Sequence, residues 1–141
     1  GECQLMSAGS GISHSEKNQH PSQTLHLLQI WLLPAENNTE PRYQQIRLDN
    51  ELGITQIVSP TEQQGLMHIK QDAAVYRLKF SAGQQIELPS SRPYGYLHVI
   101  NGQGSVQDKA LTTGDALITK DEGSLTFSAL SEGEALWFDL V

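Results

Sequence analysis

"FSAGQQIELPSSRPYGYLHVINGQGSVQDKALTTGDALIT", residues 80–119, is the stretch that decides what fold this chain can take. Short apolar runs alternate with Gly, Pro, Asn and Asp, and no run carries the periodicity of a helix of ten or more residues. Ala82-Gly83 separates Phe80 from "QQIEL" by a hairpin-like distance. Asn101-Gly102 closes "YLHVI" with the strongest short hairpin signal. A further turn falls at Asp108-Lys109, ahead of "ALTTGDALI".

The same grammar extends outward in both directions. Downstream lie "SLTFSAL" and "EALWFDLV". Upstream, "AVYRLKF" (74–80) alternates Val75, Arg77 and Lys79 with Tyr76, Leu78 and Phe80. "LMHIK" (66–70), "ITQIV" (54–58) and "RYQQIRL" (42–48) are again short and bounded by turn residues. "LHLLQIWLL" (25–33) is the longest apolar run; Pro34 and the polar loop "AENNTEP" end it, no capping box precedes it, and it is expected to be a strand. Turn signals every 8–12 residues predict an all-β sandwich or barrel.

Composition narrows the function. A chain of 141 residues fits one domain, or one domain and part of another. Nine basic residues face 16 acidic ones, a net charge of -7, and no Lys/Arg cluster offers a nucleic-acid footprint. Cys3 is the single cysteine, so an intrachain disulfide is impossible and a reducing, cytoplasmic setting is expected. The first residues lack the basic and apolar regions of a signal peptide. No apolar run approaches the roughly 20 residues of a membrane helix.

Chemistry-bearing residues are few. In "GISHSEKN" (11–18), His14 and Glu16 stand two apart, which on a strand puts an imidazole and a carboxylate on one face. They could hold two corners of a metal site. His20, in "KNQHPSQ", is expected to be a solvent-facing loop histidine, and His26, in "LHLL", to be hydrogen-bonded within a sheet. Non-haem iron requires at least two histidines and a carboxylate, and His14 with Glu16 falls short of that. No G-x-S-x-G elbow or P-loop is present, and Cys3 has no histidine placed to activate it.

Residues 80–119 resemble the cupin pattern: a glycine-led strand, a meander through Gly102-x-Gly104, then L-x-x-G-D-A at Leu111–Ala116. "QLMSAGSGISHSEKN" (4–18), "LHLLQIWLLP" (25–34) and "PRYQQIRLD" (41–49) are similar to the pirin family, whose members fold as two cupin barrels in tandem. The resemblance implies a C-terminal cupin barrel, a jelly-roll-like double-stranded β-helix, over residues 42–141. Residues 1–41 would be the last strands of an N-terminal barrel and a linker.

Pirins carry one metal site, usually iron, in the N-terminal barrel. By resemblance His14 and Glu16 are its later histidine and glutamate, while the earlier H-x-H pair belongs upstream of Gly1. In the second barrel, counting from Gly83 puts Pro89 and Ser91 at the cupin histidine positions and Gly95 or Tyr96 at the glutamate position. Counting from Gly114 puts Leu125 or Thr126 at the late histidine, and His98 reads as structural.

The resemblance therefore implies a pirin-like cupin protein that is non-catalytic as it stands, with a binding, regulatory or assembly role and no cofactor. The alternative is an iron-dependent quercetinase-type dioxygenase whose site is completed by a second chain or an upstream segment. The apolar surface of residues 1–33 is expected to be covered in one of two ways: against the C-terminal barrel, or in a homodimer, the favoured reading. A protein partner is a further expectation.

Overall fold

The computed structural model describes residues 1–141, which contain no helix. Twelve strands follow one another: β1 (Glu2–Ser7), β2 (Arg42–Arg47), β3 (Gly53–Ser59), β4 (Met67–His68), β5 (Ala73–Phe80), β6 (Gln85–Leu88), β7 (Tyr94–Asn101), β8 (Gln103–Val106), β9 (Lys109–Thr112), β10 (Ala116–Lys120), β11 (Leu125–Ala129) and β12 (Gly133–Leu140). From β3 onward they build two sheets. One has the order β10-β7-β12-β5-β3-β4 and the other β6-β11-β8-β9. All-β, as the turn spacing predicts, is what forms.

Alternation along each strand sends every second side chain between the sheets. Leu78 and Phe80 (β5), Leu97 and Val99 (β7), Ala135 and Trp137 (β12) meet Ile86, Leu88, Val106, Leu111, Leu125 and Phe127 from the facing sheet. The Phe80 and Phe127 rings pack tilted, with centroids 4.8 Å apart. Such tilted contacts suit the ring quadrupoles. The interior is filled with side chains.

The larger sheet is buried on its outer face too. Val58, Val75, Leu136 and Phe138 form a second apolar layer, against which Cys3, Leu5, Leu32, Ile46 and Leu48 pack. β1 and β2 supply much of that cover as an antiparallel pair running from Glu2↔Arg47 to Ser7↔Arg42. Burial on both faces explains the unbroken apolar stretch "ALWF" in β12, where a one-sided strand would alternate with polar residues.

Three readings of the sequence change. Ala82-Gly83 and Asn101-Gly102 are not hairpins: β5 and β6, like β7 and β8, lie in different sheets. Both are corners where the chain crosses over. Gly102 takes a φ of 95° there, and a Cβ on it would lie 2.5 Å from the Glu132 carbonyl oxygen. Turn chemistry specifies a change of direction, and the partner available afterwards decides whether a hairpin results. The true hairpin joins β8 to β9 through Gln107-Asp108, one residue before the predicted turn.

The third change is larger. "LHLLQIWLL" forms no strand, so residues 1–41 contain β1 alone. Residues 12–34 make no backbone–backbone hydrogen bond at all. A strand exists only where a neighbour takes its N–H and C=O groups, and along this run only the Leu33 carbonyl is taken, by the Gln71 side chain at 2.8 Å. β2, placed in the barrel by sequence, pairs with β1 instead. No helix is long and apolar enough to cross a membrane.

Candidate metal half-site

β1 ends at Ser7, and the chain then leaves the barrel as a strap that returns at Arg42. His14 and Glu16 ride on this strap, both exposed and outside any strand. The strand geometry that would align their side chains is therefore absent. No three His, Cys, Asp or Glu side chains anywhere converge closely enough to hold a metal ion. Taken alone, the residues present do not fit a pirin iron site.

The other histidines have separate duties. His20 caps its own loop: Nδ1 accepts from the backbone N–H groups of Ser22 (3.2 Å) and Gln23 (2.9 Å). The Asn18 side chain braces the same turn by accepting from His20 N–H at 3.0 Å. An imidazole nitrogen bound this way is a turn element. His26 is exposed, contrary to the sheet-bonded place expected of it, because its segment is not a strand. His98 points to the outer side of β7, on the face shared by Tyr96 and Ile100, away from the barrel interior.

Within the barrel, the positions aligned with cupin ligands do other work. The Pro89 carbonyl accepts the Trp137 indole N–H at 2.6 Å. Ser91 and Arg92 donate backbone N–H groups to the Asp139 carboxylate. Gly95 lies under the Trp137 ring, where a Cβ would sit 2.0 Å from Cη2. Leu125 is core and Thr126 faces solvent. An indole and a carboxylate thus pin the 89–92 loop across one end of the barrel.

Asp139 is the one fully buried acid. Its partner Arg92 bonds it at 2.8 Å through Nη1 and reaches Asp72 at 2.7 Å through Nε. Burial opposes the Arg92 charge, but the hydrogen bonds to both carboxylates outweigh it and hold its pKa above the ordinary value. Burial, aided by the Asp139 charge, pushes the neighbouring Tyr76 phenol up. Sequence reading missed this network, although an Asp inside the apolar "LWFDLV" is a signal that a buried partner exists. Cys3 lies half-buried under the β1–β2 pair, where burial raises its thiol pKa.

A second feature escaped the sequence because its parts are far apart. At the seam between the β1–β2 pair and the barrel, Ser7, Glu40, Pro41, Arg42, His68 and Lys70 line an open cleft of about 320 Å³. The Gln44 side-chain amide stitches the seam: it donates to the His68 carbonyl at 2.7 Å and accepts the His68 N–H at 2.8 Å. Arg42 Nη1 then lies 2.9 Å from Glu62 Oε1 and 3.3 Å from His68 Nδ1.

Comparison with known proteins agrees with both halves of this architecture. Residues 56–140 match the family model described as "Quercetinase C-terminal cupin domain", and residues 1–32 match the one described as "Pirin". The chain belongs to the pirin family. Its barrel is the C-terminal cupin of that family, as the resemblance implied.

An Escherichia coli K12 protein named quercetin 2,3-dioxygenase is 36% identical over 141 residues, covering 99% of this chain and 61% of the relative. The crystal structure of YhhW from E. coli superposes with a TM-score of 0.94 at 36% identity, covering 100% of this chain and 61% of that one. A second YhhW structure, described as a pirin in complex with nickel(II), gives 0.93 at 35% identity and covers 99% and 61%. The chain thus spans about three-fifths of the length of these relatives. A metal is bound in one of them.

Proposed function

We propose that this pirin-family chain acts, as it stands, as a non-catalytic binding and assembly module of the cytoplasm. The single observation that carries the reading is the contrast in donors. The closed barrel offers none at its cupin-ligand positions, and His14 with Glu16 make only half a site. The apolar strap around Leu25, Leu27 and Trp31 supplies the assembly surface, and a second copy is its occupant in a homodimer formed through residues 1–33. Exposure of Trp31 at 87% and Leu33 at 85% supports the need for such a cover.

The names of the relatives favour a second reading. If a second chain or an upstream segment brought two further histidines to His14 and Glu16, the four would make an iron or nickel site of the quercetinase kind. The metal would then supply flavonol and dioxygen binding, with Glu16 as a ligand.

One pair of measurements separates the readings. Light scattering of the purified chain is expected to give a dimer mass, and Trp31→Asp a monomer. No turnover of quercetin is expected on adding Fe(II) or Ni(II). Turnover abolished by His14→Ala would overturn the non-catalytic reading and establish the dioxygenase.

A further inference from the structure

The seam cleft contains more hydrogen-bond donors than the protein uses. Arg42 commits Nη1 to Glu62 and His68, while its Nε and Nη2 make no bond within the chain. Lys70 lines the same cleft with no ion-pair partner. The His68 imidazole lines the same cleft, its Nδ1 3.3 Å from Arg42 Nη1. Ser7 adds a hydroxyl. Against these stands one carboxylate in the cleft wall, that of Glu40.

The chain itself shows what such a donor set takes. Glu62 is not part of the cleft wall, and its carboxylate lies 2.9 Å from Arg42 Nη1 and 3.7 Å from His68 Nδ1. The hydrogen bond and charge of Arg42, with the nearby His68, hold its carboxyl below the ordinary value. Glu62 keeps 70% of its side-chain surface exposed, so nothing else fastens it there. An exposed ion pair of this kind is weak and exchangeable.

We propose that this cleft is a binding site for a small oxyanion, a phosphate or carboxylate group, with Arg42, Lys70 and His68 as its donors and Glu62 as a displaceable competitor for Arg42. The site does not use the metal half-site, and of its lining residues only Ser7 falls within the assembly segment. In a protein of net charge -7, distant charge repels an anion, so recognition rests on local hydrogen bonding. A planar guanidinium beside a mobile ammonium suits an oxyanion.

The test is a titration of the full chain with inorganic phosphate, read at the His68 imidazole by NMR, with sodium acetate as a second arm and sodium chloride at matched ionic strength as control. Saturable shifts with phosphate or acetate, absent with chloride, are expected, and the tighter of the two identifies the source. Lys70→Gln should weaken binding about fivefold, the effect of losing one exposed ion pair. Glu62→Gln should tighten it by about threefold, since the competing carboxylate is gone. A merely structural Glu62–Arg42 pair does not predict tightening. Shifts that chloride reproduces, or a Glu62→Gln variant that binds no better, would overturn the proposal.

Discussion

"LHLLQIWLL" at 25–33 and "GEALWFDL" at 133–140 are similar in length and apolar content, and they end in opposite states. The second is β12, hydrogen-bonded on both sides to β5 and β7, with Trp137 facing the barrel interior and Phe138 facing the outer layer. The first lies along the surface with Leu25, Leu27, Ile30, Trp31 and Leu33 exposed, and of these apolar side chains only Leu32 finds a packed place on the barrel. Hydrophobicity alone therefore does not make a strand. Order in an all-β chain comes from neighbouring strands that take the backbone groups, and residues 25–33 have no such strand beside them.

Breaking the ordered region should have the largest effect. Trp137→Ala empties the centre of the barrel and releases the Pro89 carbonyl; a loss of about 3–5 kcal/mol is expected in chemical denaturation. Asp139→Ala leaves Arg92 with Asp72 as its only acid partner and two backbone N–H groups unpaired in a buried setting, which costs about 3 kcal/mol or more. Gly95→Ala forces a methyl group into the Trp137 ring and should cost about 1–3 kcal/mol. In the strap the same class of change should scarcely register. Measured on the monomer, Trp31→Ala is expected to alter the barrel's unfolding free energy by no more than about 0.5 kcal/mol. An equal loss at Trp31 and Trp137 would erase the distinction between the two regions.

The smallest effect concerns pH at the seam. The hydrogen bond and charge of Arg42 hold the Glu62 carboxyl below the ordinary carboxylate value, so its folded pKa is depressed. Its contribution is present above that value and disappears as pH falls through the folded pKa. NMR titration should show Glu62 protonating below the ordinary carboxylate range in the native chain and within it once Arg42 is replaced by Gln. An ordinary midpoint in the native chain would remove the pair from the account.

The fold was legible where local chemistry coincides with tertiary pairing. Turn residues between short apolar runs marked nearly every strand of the barrel, and L-x-x-G-D-A marked the Asp115 turn, whose carboxylate accepts from Thr112 N–H at 2.8 Å. What the sequence could not say was which strands share a sheet. Gly83 and Gly102 carry the same signal whether the chain doubles back or crosses over. Burial on both faces hid in "ALWF", since the cover comes from Cys3 and Leu5 over a hundred residues earlier. His14 and Glu16 were visible as a pair, but their isolation was a matter of space. The seam cleft joins Arg42 to His68 and Lys70, and only His68 and Lys70, two apart in "LMHIK", left a trace.

The most direct test of the central claim is the metal content of this chain, measured by mass spectrometry on protein purified without a chelator, native and His14→Ala side by side. The account predicts iron and nickel far below one equivalent per chain in both. A stoichiometric metal in the native chain that is lost in His14→Ala would contradict it, because His14 and Glu16 would then belong to a complete site.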